Sequence, residues 1–140
     1  MTEIDKIIRT EIEQDFEYAV DLRRHFHKFP EVAKEEFQTQ KKIIEELEKA
    51  GITARKIAGT GVYAEIKGRK PIKSGQKAKT LVLRADIDAL PIQETHQCEY
   101  ASVIPGKMHA CGHDSHAASL VSAARILARH TDFFSGDVRL

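Results

Sequence analysis

The stretch TLVLRADIDALPIQE, residues 80–94, decides the fold class. An apolar run through Leu81, Val82 and Leu83 reads as a central β-strand, and it leads straight into Arg84, Asp86, Asp88 and then Pro91. Carboxylates at the carboxyl end of a central strand are a common active-site placement in α/β folds. Two acids at spacing two leave an extended backbone on the same side, where a metal ion or an arginine such as Arg84 can offset their repulsion. A plain turn is the competing account, since Asp is a good loop residue after a strand.

Upstream, residues 68–79 (GRKPIKSGQKAK) form a polar loop, VYAEIK from Val62 alternates as a strand, GTG at 59–61 is a turn, and Ile52 to Ile57 is a weak strand. The strands beginning at Val62 and Thr80 are expected to pair as a hairpin. Earlier still, Phe37, Ile43, Ile44 and Leu47 mark the inner side of a helix over about 35–50, with Gly51 placed to cap it. Ile4, Ile8, Ile12, Phe16, Ala19 and Val20 recur at helical spacing, which predicts a long helix over about 3–28, stopping before Pro30 and packing on the second. Downstream, Ala117, Leu120, Val121, Ala124 and Leu127 share one face of a helix that Asp114 or Ser115 is placed to cap, and DVRL at the end reads as a strand beginning. Without internal repeats, this order implies an α/β domain with helices layered on a mixed sheet.

The bulk numbers agree with one domain, or part of one, over residues 1–140. Hydrophobic residues make up 41% and charged residues 31%, a globular balance, and 22 basic against 21 acidic residues give a net charge of +1, which argues against nucleic acid as a partner. The basic cluster Arg69 to Lys79 is interleaved with Gly, Pro and Ser and reads as a solvated loop. No stretch is apolar enough to span a bilayer and the charged start lacks a signal-peptide core, so a cytoplasmic location is the expectation. Under that expectation Cys98 and Cys111 are free or metal-bound thiols.

The densest chemistry lies in GKMHACGHDSH, residues 106–116. His109, Cys111 and His113 alternate at spacing two, so in an extended segment their side chains leave on one side, and thiolate with imidazole suits zinc or another first-row divalent ion. Gly112 lets the backbone bend between the two inner candidates. Against this stands a packing account in which His109 and His116 are partly buried polar residues and Cys111 is a small apolar filler.

RADIDALPIQE and MHACGHDSH, together with LRRHFHKFPEVAKEEFQT near the start and GTGVYAEIKG between, resemble in register the aminoacylase, hippurate hydrolase and auxin-conjugate (IAA-amino acid) hydrolase family of dinuclear metallopeptidases. The resemblance implies two divalent metal ions, zinc or manganese, with Cys111 and His113 among their ligands. It implies that Asp88 orients a ligand, with Asp86 a weaker candidate for the same task, and places His109 near the site without a metal. His116 is expected to be structural, His27 carries no evident chemical role, and His25, His96 and His130 read as surface residues. The implied reaction is hydrolysis of the amide of a small N-acyl amino acid or short peptide by a metal-activated water, with a glutamate as general base.

In that family the paired glutamates, later histidine ligands and an inserted lid domain through which members dimerise follow a strand resembling FSGDVRL. The expectation is therefore an N-terminal portion of the catalytic domain, lacking its general base and lid and inactive alone, from an enzyme that is a homodimer at full length. A metal-binding module completed by a partner chain and a catalytically dead interaction protein are the alternatives.

Overall fold

The structure is a computed structural model, and it describes residues 2–140. Helix α1 runs over Glu3–Lys28 and opens on a capping box, in which the Thr2 hydroxyl accepts the Asp5 amide while the Asp5 carboxylate accepts the Thr2 amide. Helix α2 covers Phe37–Lys49. It ends as expected at Gly51, which has φ +75°: the Gly51 amide bonds the Glu48 carbonyl at 2.9 Å and the Ile52 amide bonds the Leu47 carbonyl at 3.0 Å, satisfying carbonyls the helix leaves open.

Strands β1 (Ala54–Ile57) and β2 (Gly61–Lys67) form an antiparallel hairpin around the three-residue turn 58–60. The Gln40 side-chain amide of α2 donates to the Gly59 and Gly61 carbonyls at 2.9 and 2.8 Å, and the buried Glu36 carboxylate accepts the Thr60 hydroxyl at 2.6 Å. These bonds pin the turn to the start of α2. Strand β3 is Thr80–Val82, helix α3 is His113–Arg129, a short 3-10 turn covers Thr131–Phe133, and strand β4 is Asp137–Arg139.

The sheet has the order β1-β2-β4-β3. Strand β4 pairs antiparallel with β2 and parallel with β3, so the expected β2–β3 hairpin does not form. A parallel pair requires a crossover connection, and the segment 83–136 containing α3 is long enough to supply one. Strand β3 lies at the edge of the four-stranded sheet instead of its centre, with Leu81 and Val82 exposed. Leu22 and Phe26 of α1, Ile43 and Leu47 of α2, Ala117, Val121 and Ala124 of α3, and Ala64, Ile66 and Val138 of the sheet make the core.

Helix α1 departs from its expected packing. Its first half turns Ile4, Ile8, Ile12 and Phe16 outward, Phe16 being 59% exposed, and meets α3 with Glu11 and Asp15, which pair with Arg129 and Arg125. At 1.5 Å per residue α1 is about 39 Å long, more than α3 can cover. The two helices run antiparallel, since the end of α1 (Arg23, His27) meets the start of α3 at Asp114.

Candidate functional site

The chain leaves the carboxyl end of β3 and runs through the acid segment before reaching α3. A parallel bridge joins Val32 to Ala89 and an antiparallel bridge joins Leu90 to Met108. Main-chain bonds hold both: Ala89 N to Glu31 O at 2.7 Å, and Leu90 and Met108 exchanging bonds of 2.9 and 3.0 Å. The acid segment is thus gripped between residues 31–32 and 108, and the two chemically dense stretches of the sequence become neighbours.

At their junction the His113 ring donates from Nδ1 to Asp88 Oδ1 at 2.9 Å, with the Asp88 carbonyl at 3.1 Å. That leaves Nε2 as the nitrogen available to a ligand. His116, one helical turn on, stacks on His113 with ring centroids 5.5 Å apart. Asp86, His113 and His116 each offer a donor atom within 4.8 Å of the others, close enough for one ion. The Arg84 guanidinium bonds the Asp86 carboxylate, so its charge is offset in the absence of a cation. Among the described residues this is the group of three or more such side chains that converges.

Cys111 is exposed and lies outside that triple, although only Gly112 separates it from His113. Gly112 takes φ +85°, a left-handed conformation that spares a side chain, and stands at the N-cap of α3. Asp114 sits inside the first turn and neither it nor Ser115 caps the helix, because Asp114 is drawn inward. Cys111 also lines a cavity of about 630 Å³ with His27, Glu94, Tyr100 and His109. Cys98 lies on its wall and is exposed, as is His96.

His109 lies near the site, as expected, but is 4% exposed and both ring nitrogens lack a partner. Burial is the largest influence on this ring and pushes its pKa below the ordinary value, with the Asp114 charge working the other way.

The sequence reading missed a buried network behind these residues. Asp114 is 0% exposed, and its Oδ2 accepts from His27 Nδ1 at 2.7 Å and Arg23 Nε at 2.8 Å. The other ring nitrogen of His27 meets Glu94 Oε1 at 3.1 Å, and Glu94 Oε2 accepts the Ser102 amide at 2.6 Å. Burial would raise the Glu94 carboxyl, but the Ser102 amide and His27 outweigh it and hold it below the ordinary value. The one signal in the sequence was the density of ionisable residues in LRRHFHK and HDSH, with nothing to pair them across 87 positions.

Comparison with known proteins agrees with this layout. Residues 82–140 match the sequence profile of peptidase family M20/M25/M40. The chain is 38% identical over 135 residues to thermostable carboxypeptidase 2 of Saccharolobus solfataricus, which covers 95% of this chain and 33% of that protein. It is 45% identical over 122 residues to N-acetyl-L-cysteine deacetylase of Bacillus subtilis, covering 86% of this chain and 28% of that one. With IAA-amino acid hydrolase ILR1-like 5 of Arabidopsis thaliana it shares 42% identity over 130 residues, or 91% and 28% of the two chains. The crystal structure of Bacillus subtilis YXEP protein, described as a dinuclear metal binding peptidase of the M20 family, superposes with a TM-score of 0.82 at 40% identity over 91% of this chain and 35% of that one. The chain therefore spans about a third of the length of the relatives it matches. Resemblance in sequence, fold and profile thus agree, and this chain matches the M20/M25/M40 peptidase family over residues 82–140.

Proposed function

We propose that residues 1–140 are a portion of the catalytic domain of a metal-dependent amidohydrolase that cleaves the amide of a small N-acyl amino acid or short peptide. The carrying observation is the His113 ring, oriented through Nδ1 by Asp88 and brought within 4.8 Å of donor atoms on Asp86 and His116. A carboxylate that fixes the far nitrogen of a histidine is the usual partner of a metal-binding imidazole. The residues present fit a divalent ion: two imidazoles and a carboxylate converge, and the exposed Cys111 thiol stands two residues before His113. Thiolate and imidazole donors suit zinc, and manganese is the alternative.

In this reading Cys111 and His113 hold the metal, and Asp88 orients His113 without binding the ion. Relatives and a structural neighbour named as deacetylase, amino acid hydrolase and dinuclear metal binding peptidase support two divalent ions and an amide substrate. A bound divalent ion supplies charge that polarises the amide carbonyl and acidifies a water. The chain's own residues then set the platform: β3 delivers the acids, Gly112 turns the backbone into α3, and the Asp88 bond fixes which nitrogen of His113 is presented. The reaction also needs a proton acceptor. The family resemblance assigns that role to a glutamate outside these residues, and on this reading the chain alone is inactive. The complete enzyme is a homodimer by the same resemblance.

Equilibrium dialysis against zinc and manganese, alongside an assay on N-acetyl amino acids, tests the reading. Uptake of metal by the native chain that falls at least tenfold in His113→Gln, with no turnover, is the expected result. Equal uptake by both proteins would refute it.

A further inference from the structure

We propose that His27, Asp114 and Arg23 form a positioning clamp for His113, in which the end of α1 fixes the first turn of α3 so that the His113 ring stays aligned on Asp88. The inference rests on the reading of His113 as a metal-holding residue, but the clamp itself is visible without a metal. Asp114 follows His113 directly, and its carboxylate, with no exposed surface, is met at once by His27 Nδ1, by Arg23 Nε and, through Oδ1, by the Ser115 amide at 2.9 Å. Asp114 is thereby fixed at both oxygens, and the His113 backbone beside it loses its freedom to swing.

Nothing in the hydrolysis uses these side chains. Yet two carboxylates, a guanidinium and an imidazole are gathered there in a largely buried position, with Arg23, His27 and Glu94 on the wall of the cavity that Cys111 also lines. Gathering charged groups away from water is expensive even when they pair, and packing alone is served as well by apolar residues of the same volume. A mechanical requirement explains the network better. The first turn of a helix is held by few main-chain bonds, because its leading amides have no partner within the helix, and α3 opens on Gly112 without a side-chain cap. His113, the first residue of that helix, would fray without a second anchor. Arg23 and His27, four apart on one face of α1, supply it. Glu94 and the Ser102 amide extend the anchor into the loop between the acid segment and residue 108, so both sides of the His113–Asp88 bond are tied to α1.

The test reads the His113 ring in the metal-free chain with ¹⁵N-labelled histidine, following the Nδ1 proton that Asp88 shelters and its exchange with water. In His27→Ala the proton is expected to exchange at least tenfold faster than in the native chain. His27→Asn, whose amide nitrogen stands near the lost Nδ1, is expected to restore most of the protection. Asp114→Asn keeps the volume and serves if His27→Ala does not fold; the same loss is expected. An unchanged His113 signal in whichever of the two variants is folded overturns the clamp, even if that variant melts at a lower temperature. If the clamp result holds but the native chain takes up no divalent metal, the hydrolase reading fails and the clamp stands; the reverse pair of results sinks the clamp alone.

Discussion

His113 Nδ1 lies 2.9 Å from Asp88 Oδ1, joining the start of a helix to the segment after a strand across 25 positions of sequence. If Asp88 serves to aim this imidazole, its removal weakens metal binding without removing a ligand. Asp88→Ala is expected to lower zinc affinity by about 10- to 100-fold, read by competition with a chromophoric chelator. A change below about twofold would assign the pair to packing.

The chain's acid sensitivity is expected to centre on Glu46. Burial alone would raise this carboxyl, but hydrogen bonds from Lys49, Lys42 and the Tyr18 hydroxyl override it and bring the pKa down to about 2 from 4.5. A carboxyl depressed on folding contributes stability above its ordinary pKa, and that contribution is lost as the pH falls from about 4.5 toward 2. Because Lys49 is largely exposed, the contribution is discounted to about 1–2 kcal/mol. Urea denaturation across that range is expected to show a steeper acid loss in the native chain than in Glu46→Gln. Parallel curves for the two would count against it.

Exposed apolar surface sets the solution behaviour. Leu81 and Val82 lie on the edge strand, Val82 being 67% exposed, and Ile4, Ile8, Ile12 and Phe16 line the outer half of α1. An open edge and an uncovered apolar stripe favour association. Sedimentation velocity is expected to find oligomers for residues 1–140 and a shift toward monomer in Val82→Lys combined with Phe16→Glu. A native chain that stays monomeric with a cooperative melting transition would contradict this.

What could be read from the sequence followed the range of the interactions. The three helices are local, and Gly51 carried its own termination signal, so α2 stops where its residues say it should. The 54–67 hairpin is equally local, with three turn residues between its strands. The neighbour of Thr80–Val82 was not legible, because β4 pairs with it across more than fifty residues and intrudes where β2 was expected. Periodicity placed Ile4 to Phe16 on one face of α1 but could not say whether a helix would reach that face; α3 instead meets the side that carries Glu11 and Asp15. At the site, the spacing of Cys111 and His113 and the acids after β3 were visible as chemistry. The approach of Asp86 and His116 to His113, and the burial of His27 on Asp114, arise only when α1, α3 and the loop are assembled.

The most direct test is cobalt(II) titration of the native chain, Cys111→Ser and His113→Gln, followed by visible and near-ultraviolet absorption. A saturable spectrum is expected for the native chain, with a sulfur-to-cobalt charge-transfer band that disappears in Cys111→Ser and an affinity at least tenfold weaker in His113→Gln. A native spectrum without that band, or one that both substitutions leave intact, would contradict the claim that this thiol and this imidazole hold the metal of an amidohydrolase.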